Sequence, residues 1–371
     1  MSTIALDATY SIDPEPAGIS VYSRRLIESL LDLETQHQFL VCYRLSRWKL
    51  RRTFMRPSAT RRFGVRLFQE PLTFWLPWQA ELFHSLAQRP PAFRFRNEVV
   101  TVFDIFPITG TDYSAADFRR KFSGLLRDAV RRAARVITAS QYTARQLQRH
   151  CQVQADKIRV IPVGVDIPPL QPSAEERQAE RERWVGPGNE LVLVVGAIQN
   201  RKNTLGAAKA AARLPARYRL VLAGGNGYGS EAVHDWVRQE RLGERILTPG
   251  YVPADDLASL YRAASVFLFP SFEEGFGIPV LEAMARGVPV VAAGTSSLPE
   301  VGGDAVLYVD PHSVDEIAAR VRQIVEDPGL QSDLRRRGFA RAQEFTWRRT
   351  AEDTLDVYRK LLGSVGESGN K

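Results

Sequence analysis

Apolar residues in this chain come in short unbroken runs, separated by longer stretches in which they recur at helical spacing. Runs at 3–8, 38–43, 81–85, 98–104, 135–140 and 157–163 predict strands in the first half. Runs at 191–195, 219–223, 246–248, 266–269, 288–292 and 306–309 predict strands in the second half. A run without polar alternation suits a strand covered on both faces, the situation in a parallel sheet. Between the runs, Val21, Leu26, Leu30 and Leu33 mark a helix that starts near Gly18. Further helices are expected over 114–134, 141–150, from about 203 and 230, over 254–263, 314–326 and 347–362, and 71–78 reads as a short apolar helix or loop. Strands alternating with helices imply parallel sheets joined by crossovers.

The alternation is interrupted once. Residues 164–188 hold prolines at 168, 169, 172 and 187 and a charged cluster from Glu175 to Arg183, with little apolar periodicity. The expected organisation is therefore a Rossmann-like domain over 1–168, a linker over 169–188, a second Rossmann-like domain over 189–345, and a helix with a polar tail over 346–371. The fold class is α/β, two doubly wound domains facing across a cleft.

At 371 residues, two domains of ordinary size are expected. No apolar run reaches the roughly 18 residues of a membrane span, and the first residues lack the pattern of a signal peptide. With Cys42 and Cys151 alone, neither a disulfide framework nor a Cys-based zinc site is expected, which points to the cytoplasm. The net charge of +8 and pI near 9.6 imply an anionic partner. Nine basic residues and no acid lie between Arg44 and Arg66, interleaved with Trp48, Leu50, Phe54, Met55 and Phe63. That stretch suits either a solvated, internally paired face or docking on an anionic membrane.

Candidate chemistry concentrates after the run at 266–269. Ser271 to Gly287 is a loop with two glycines and two acids, then a short helix with Pro279 near its start and Gly287 at its end. Glu274 and Glu282 are either a helix cap and a surface charge, or contacts to a hydroxyl-rich ligand with a phosphate near the helix start. In the loop Gly196 to Asn203, Arg201 and Lys202 stand at a helix start, where cations oppose the helix dipole unless an anion accompanies them. A diphosphate would supply it, with Arg201 binding bidentately and Lys202 as a point charge. The loop Gly224 to Gly229 lacks the dinucleotide spacing, and no Gly-Lys-Ser/Thr loop is present. The five histidines are scattered without metal-ligand spacing; His84 reads as a hydrogen-bonded core residue. In the first half, Gly18 opens a helix whose N–H groups suit a phosphate or sugar, and Asp104 ends its strand either as a turn cap or at the cleft edge.

In combination and order these segments resemble the retaining glycosyltransferases of family 4, and mannosyltransferases among them; these have the GT-B fold, which implies that the helix of 346–371 crosses back to the first domain. The resemblance rests on Gly196 with Arg201-Lys202-Asn203, Pro249 to Pro253, Phe269-Pro270-Ser271, Glu274 through Ala285, and Thr295 to Glu300. It implies transfer of a sugar from a nucleotide diphosphate sugar with retained configuration, and no cofactor or metal beyond that co-substrate. Arg201 and Lys202 would bind the diphosphate in the loop that Gly196 opens, and Glu274 would contact the sugar. The N–H groups of Gly275, Phe276 and Gly277 would hold its oxygens, Glu282 the ribose, backbone near Val252 the base, and Gly18 the phosphate from the first domain. Many members carry His-Asp where this chain has Phe103-Asp104, so the histidine's role does not transfer and Asp104 is left on the acceptor side.

The expected function is hexosyl transfer, with mannose from GDP-mannose as the leading donor, to a saccharide or lipid-linked saccharide in cell-surface polysaccharide assembly. The expected place is the cytoplasm, peripheral at the inner face of the plasma membrane. The alternatives are a UDP-sugar donor, a glycoside phosphorylase, a nucleotide-sugar epimerase, or a nucleic-acid-binding protein; no nucleic-acid partner is expected, because the basic stretches join no nucleic-acid fold.

Overall fold

The computed structural model describes residues 1–363 apart from 14, 16, 17, 51–62, 90 and 170. The chain forms two compact units. The first comprises 1–108, 117–164 and 345–371, and the second 109–116 and 165–344.

The first unit is built on seven parallel strands: β1 (Thr3–Asp7), β2 (Gln38–Tyr43), β3 (Phe63–Leu67), β4 (Leu82–Ser85), β5 (Asn97–Val102), β6 (Arg135–Thr138) and β7 (Ile158–Val160). Their order across the sheet is β3-β2-β1-β4-β5-β6-β7. The second sheet has β8 (Glu190–Val195), β9 (Tyr218–Ala223), β10 (Ile246–Gly250), β11 (Val266–Phe269), β12 (Val290–Ala293) and β13 (Leu307–Val309), in the order β10-β9-β8-β11-β12-β13. Both orders reverse once, between β1 and β4 and between β8 and β11. In doubly wound sheets, ligands bind outside the carboxyl ends of the strands at that reversal.

The unbroken apolar runs become these inner strands because both faces are covered. Leu191 to Val195 are all buried, and Val192, Val194, Leu220, Leu222, Val266 and Leu268 pack under helices Thr204–Arg213, Ser230–Gln239 and Val314–Glu326. In the first unit, Val100, Val102 and Val136 pack with Leu126 and Val130 of helix Ala116–Arg132 on one side of the sheet.

Three features depart from the expectation. Residues 169–188 are not an open linker: Ala174–Val185 is a helix of the second unit, begun by a capping box between Ser173 and Glu176. It lies on helix Ala254–Ala263 through polar contacts, Trp184 Nε1 donating to Ser259 Oγ at 2.8 Å and Arg262 pairing with Glu180 at 3.2 Å. An amphipathic pattern does not reveal a helix held that way. Strand β3 and helix Pro328–Ala342 were likewise not expected. Of the basic stretch 44–66, Arg51, Arg52, Arg61 and Arg62 lie outside the described residues.

Helix Trp347–Gly363 belongs to the first unit, against helix Gly18–Asp32. Its Tyr358 hydroxyl meets His84 Nδ1 at 2.5 Å, and His84 Nε2 meets Thr101 Oγ1 at 2.9 Å. Thr101 is within 3.2 Å of the Tyr22 hydroxyl, which closes a buried polar chain from the last helix to the first. His84 is thus a satisfied core residue, as its strand position implied.

Candidate active site

Two loops of the second unit meet at the reversal between β8 and β11. The loop after β8 turns through a 3-10 segment, Asn200–Lys202, before helix Thr204–Arg213, with Asn203 left-handed at φ 52°. The loop after β11 runs from Pro270 to Gly277, which precedes helix Ile278–Ala285. Three side chains converge there. Arg201 Nη1 is 2.9 Å from Glu274 Oε2, and Lys202 Nζ is 2.9 Å from Glu274 Oε1. Arg201 also donates to the Glu273 carbonyl at 2.6 Å, and Lys202 Nζ lies 4.6 Å from the centre of the Phe269 ring. All three side chains are about nine-tenths buried. Two cations at a helix start require an anion, and here Glu274 supplies it.

Burial alone would push the Glu274 carboxyl up, but the Arg201 and Lys202 charges and their hydrogen bonds outweigh it and bring the pKa to about 2. The carboxylate is also fixed through its backbone. The Glu274 N–H donates to Ser296 Oγ at 3.1 Å, and the single Ser297 hydroxyl proton is shared between the carbonyls of Glu274 and Phe276, which lie 2.8 and 2.9 Å from Oγ. Gly275 and Phe276 complete the buried turn between Glu274 and the helix.

The cation loop is braced from beneath. Ile198 exchanges backbone hydrogen bonds with the glycine loop, Ile198 N–H to Gly225 O at 2.9 Å and Gly227 N–H to Ile198 O at 2.8 Å. A Cβ on Gly224 would stand 2.2 Å from the Gly196 carbonyl, and one on Gly196, at φ 125°, would stand 2.7 Å from Lys202 Cε. The glycines at 224 and 196 therefore let two strand ends and the Lys202 stem approach closely. Segment 109–116 adds a further contact: Thr109 Oγ1 donates to the Glu273 carboxylate at 2.7 Å, and Asn200 Nδ2 donates to the Asp112 carbonyl at 3.2 Å.

Glu282 lies in a second cluster, one turn into helix Ile278–Ala285. Its carboxylate accepts from the Tyr261 hydroxyl at 3.0 Å, and Arg286 lies over the Tyr261 ring at 5.0 Å. Burial pushes the Glu282 carboxyl up and Asp166 adds to that, while Arg286 and the Tyr261 hydrogen bond pull down. Among the described residues, Glu274 and Glu282 share no hydrogen-bond or ion-pair partner. Val252 is half-buried in the turn after β10, two strands from β8.

Gly18 and Asp104 belong to the first unit. Gly18 is the exposed first residue of its helix. Asp104, half-buried, follows β5. Phe103 is a core residue, its ring edge-on to Tyr22 at 4.7 Å and its carbonyl accepting from Thr143 Oγ1 at 3.0 Å.

Sequence reasoning did not assign contacts to Ser296, Ser297, Tyr261 and Thr109. The two serines lie in the Thr295–Glu300 segment of the resemblance, but no spacing along the chain announces that they reach Glu274.

Two family models match the chain: Glycosyltransferase Family 4 over residues 17–167 and Glycosyl transferases group 1 over 176–341. The chain is 33% identical over 272 residues to the O-antigen chain mannosyltransferase B of Escherichia coli, covering 72% of this chain and 71% of the relative. It is 29% identical over 279 residues to the Escherichia coli serotype-specific mannosyltransferase WbdA, covering 72% of this chain and 34% of that much longer protein. Among solved structures, a sucrose-phosphate synthase from Thermosynechococcus elongatus superposes with a TM-score of 0.77 at 23% identity, covering 98% of this chain and 100% of that one. That likeness shows the GT-B fold.

Proposed function

Because the chain belongs to the family 4 glycosyltransferases, we propose that it moves a hexosyl group, with retained configuration, from a nucleotide diphosphate sugar to a saccharide or lipid-linked saccharide in polysaccharide assembly. The observation that carries this reading is the convergence of Arg201, Lys202 and Glu274 where β8 and β11 diverge. Breaking the bond between the anomeric carbon and the phosphate oxygen builds positive charge on the sugar and negative charge on the diphosphate. A preorganised pair of cations beside a carboxylate meets both. In this reading the diphosphate takes Arg201 and Lys202 from Glu274 within the loop opened by Gly196, and the released carboxylate faces the sugar. The turn of Gly275, Phe276 and Gly277 holds sugar oxygens, Glu282 accepts from the ribose, backbone at Val252 meets the base, and Gly18 and Asp104 serve phosphate and acceptor. The reaction takes no cofactor and no metal.

The donor proposed first is GDP-mannose, supported by the mannosyltransferases among the relatives; UDP-sugars come second. The test is nucleoside diphosphate release from a panel of donors with and without saccharide acceptors, with the anomer of the product read by NMR. Acceptor-dependent GDP release and a retained anomer are expected. Phosphate-dependent cleavage would identify a phosphorylase, and donor interconversion without acceptor an epimerase; either overturns the proposal.

A further inference from the structure

The first unit carries an exposed aromatic cluster that its core does not absorb. Among the described residues, Trp78 is 80% exposed, Leu72 61%, Phe74 59%, Leu45 56%, Trp75 44% and Leu50 37%. These six are most of the large apolar side chains left exposed in the described chain, and they fall on two segments, 45–50 and 72–78. Scattered exposed apolar residues are ordinary, whereas a group of this kind marks an interaction surface.

The cluster is held in place. Thr73 is buried, its N–H and hydroxyl donating to the Gln69 carbonyl at 2.9 and 3.1 Å, and Leu76 packs into the core with Phe68 and Phe83. With Thr73 and Leu76 turned inward, Phe74, Trp75 and Trp78 are turned outward and pack on one another, with ring centroids 5.4 and 6.1 Å apart. The two segments are clamped side by side: Arg44 Nη1 lies 3.4 Å from Glu70 Oε2, and the Leu45 N–H donates to Gln69 Oε1 at 3.3 Å. Those two links bring the start of one segment beside the lead-in to the other, and the first segment also carries Arg47, 3.4 Å from Asp13, and Lys49.

Charge identifies the partner. The first unit holds 30 Lys and Arg against 17 Asp and Glu, the second 20 against 25, so the whole positive excess resides in the unit that bears the aromatic cluster. Residues 51–62, outside the described set, add five arginines and no acid directly after Leu50. Exposed Trp and Phe on a net-basic unit, with Arg47 and Lys49 on the adjoining segment, match the headgroup layer of an anionic bilayer, where the rings sit at the interface and the cations meet phosphates. No helix among the described residues is long and apolar enough to cross a membrane. We propose that segments 45–50 and 72–78 together dock this protein on the surface of an anionic lipid bilayer, with Trp75 and Trp78 at headgroup depth. The proposal stands on surface composition and does not require the donor-site reading.

The test is co-sedimentation of the full chain with vesicles of phosphatidylcholine alone and of phosphatidylcholine with phosphatidylglycerol, at low and high salt. Wild-type protein is expected to bind the anionic vesicles, less so at high salt. Phe74→Glu with Trp78→Glu should lower that binding at least about tenfold, and Arg47→Glu with Lys49→Glu should lower it by a similar factor. The variants should keep the wild-type thermal shift with nucleoside diphosphate, which verifies folding; Trp78→Ser alone, at the most exposed position, replaces the double variant should that one fail to fold. Wild-type protein that ignores anionic vesicles, or aromatic variants that bind as wild type, overturns the proposal. So does a wild-type dimer in sedimentation analysis that the aromatic substitutions split, because a second copy would then cover the cluster.

Discussion

Glu274 and Glu282 stand eight positions apart yet have opposite electrostatics. The pKa of Glu274 is lowered from 4.5 to about 2, so its contribution to stability is complete above the ordinary value and is lost only as pH falls toward about 2. The carboxylate is ionised throughout the neutral range, and no acid limb of activity in that range belongs to it. Glu274→Gln should keep the fold and lose at least ~10²-fold in turnover, as when one preorganised electrostatic group is removed. The same substitution ends the competition for Arg201 and Lys202, so calorimetry should find nucleoside diphosphate bound more tightly than by wild type. Weaker binding would mean that the carboxylate supports the cation pair rather than competing for it. For Glu282 the sign reverses. Its pKa is raised by burial, so folding favours the protonated form, and the associated stability is present below the unfolded value and lost as pH rises through the folded one. Glu282→Gln should therefore raise the melting temperature at neutral pH while weakening nucleotide binding. A variant less stable than wild type there would show that the Tyr261 and Arg286 contacts outweigh the buried charge.

At the scale of elements, the site is two loops on one platform, and the platform has glycine where a side chain would separate its parts. Gly224→Ala would drive a methyl group into the Gly196 carbonyl. Overpacking of that kind costs about 1–3 kcal/mol, and here the displaced loop carries Arg201 and Lys202. Chemical denaturation should show the loss, together with a higher KM for the donor. Ser297→Ala removes the single hydroxyl proton shared between two carbonyls behind Glu274, a hydrogen bond worth about 1 kcal/mol, and should lower kcat along with stability. The legible part of this architecture follows from what each element needs. Strands β8 and β11 were readable because inner parallel strands must be apolar throughout, and helices Ala254–Ala263 and Val314–Glu326 because each buries one stripe. Arg201, Lys202 and Glu274 were readable because charges placed at strand ends and helix starts cost energy without a partner. Helix Ala174–Val185 was not readable, since Trp184, Glu180 and Arg181 hold it by polar bonds and it has no apolar stripe. Ser296, Tyr261 and Thr109 were not readable either, because only the folded loops bring them to their glutamates.

Over the whole molecule, charge and connectivity divide along the same line. The positive excess resides in the first unit, and that unit is completed by chain from both ends, since helix Trp347–Gly363 packs into it. The seam between the early and late segments contains a fully buried polar chain: Tyr358, His84, Thr101 and Tyr22. Burial lowers the His84 pKa from 6.5 to about 3, so the ring is neutral and donates through one nitrogen while accepting through the other. Tyr358→Phe leaves one ring nitrogen without its partner, which should cost about 1–3 kcal/mol of unfolding free energy. Nucleoside diphosphate affinity should be unchanged, because the loops that carry Arg201, Lys202 and Glu274 lie in the other unit. The histidine also makes stability depend on pH. The unfolded chain takes up a proton near 6.5 that the folded chain refuses until about 3. Stability is therefore present above the unfolded value and falls with pH below it, by up to about 1.4 kcal/mol per pH unit. Urea titrations of wild type and His84→Gln between pH 7 and about pH 5 isolate this contribution: the variant should start less stable and lose less on acidification. Parallel losses in the two proteins would mean that His84 is not held neutral, and that the seam tolerates a charge its burial should forbid.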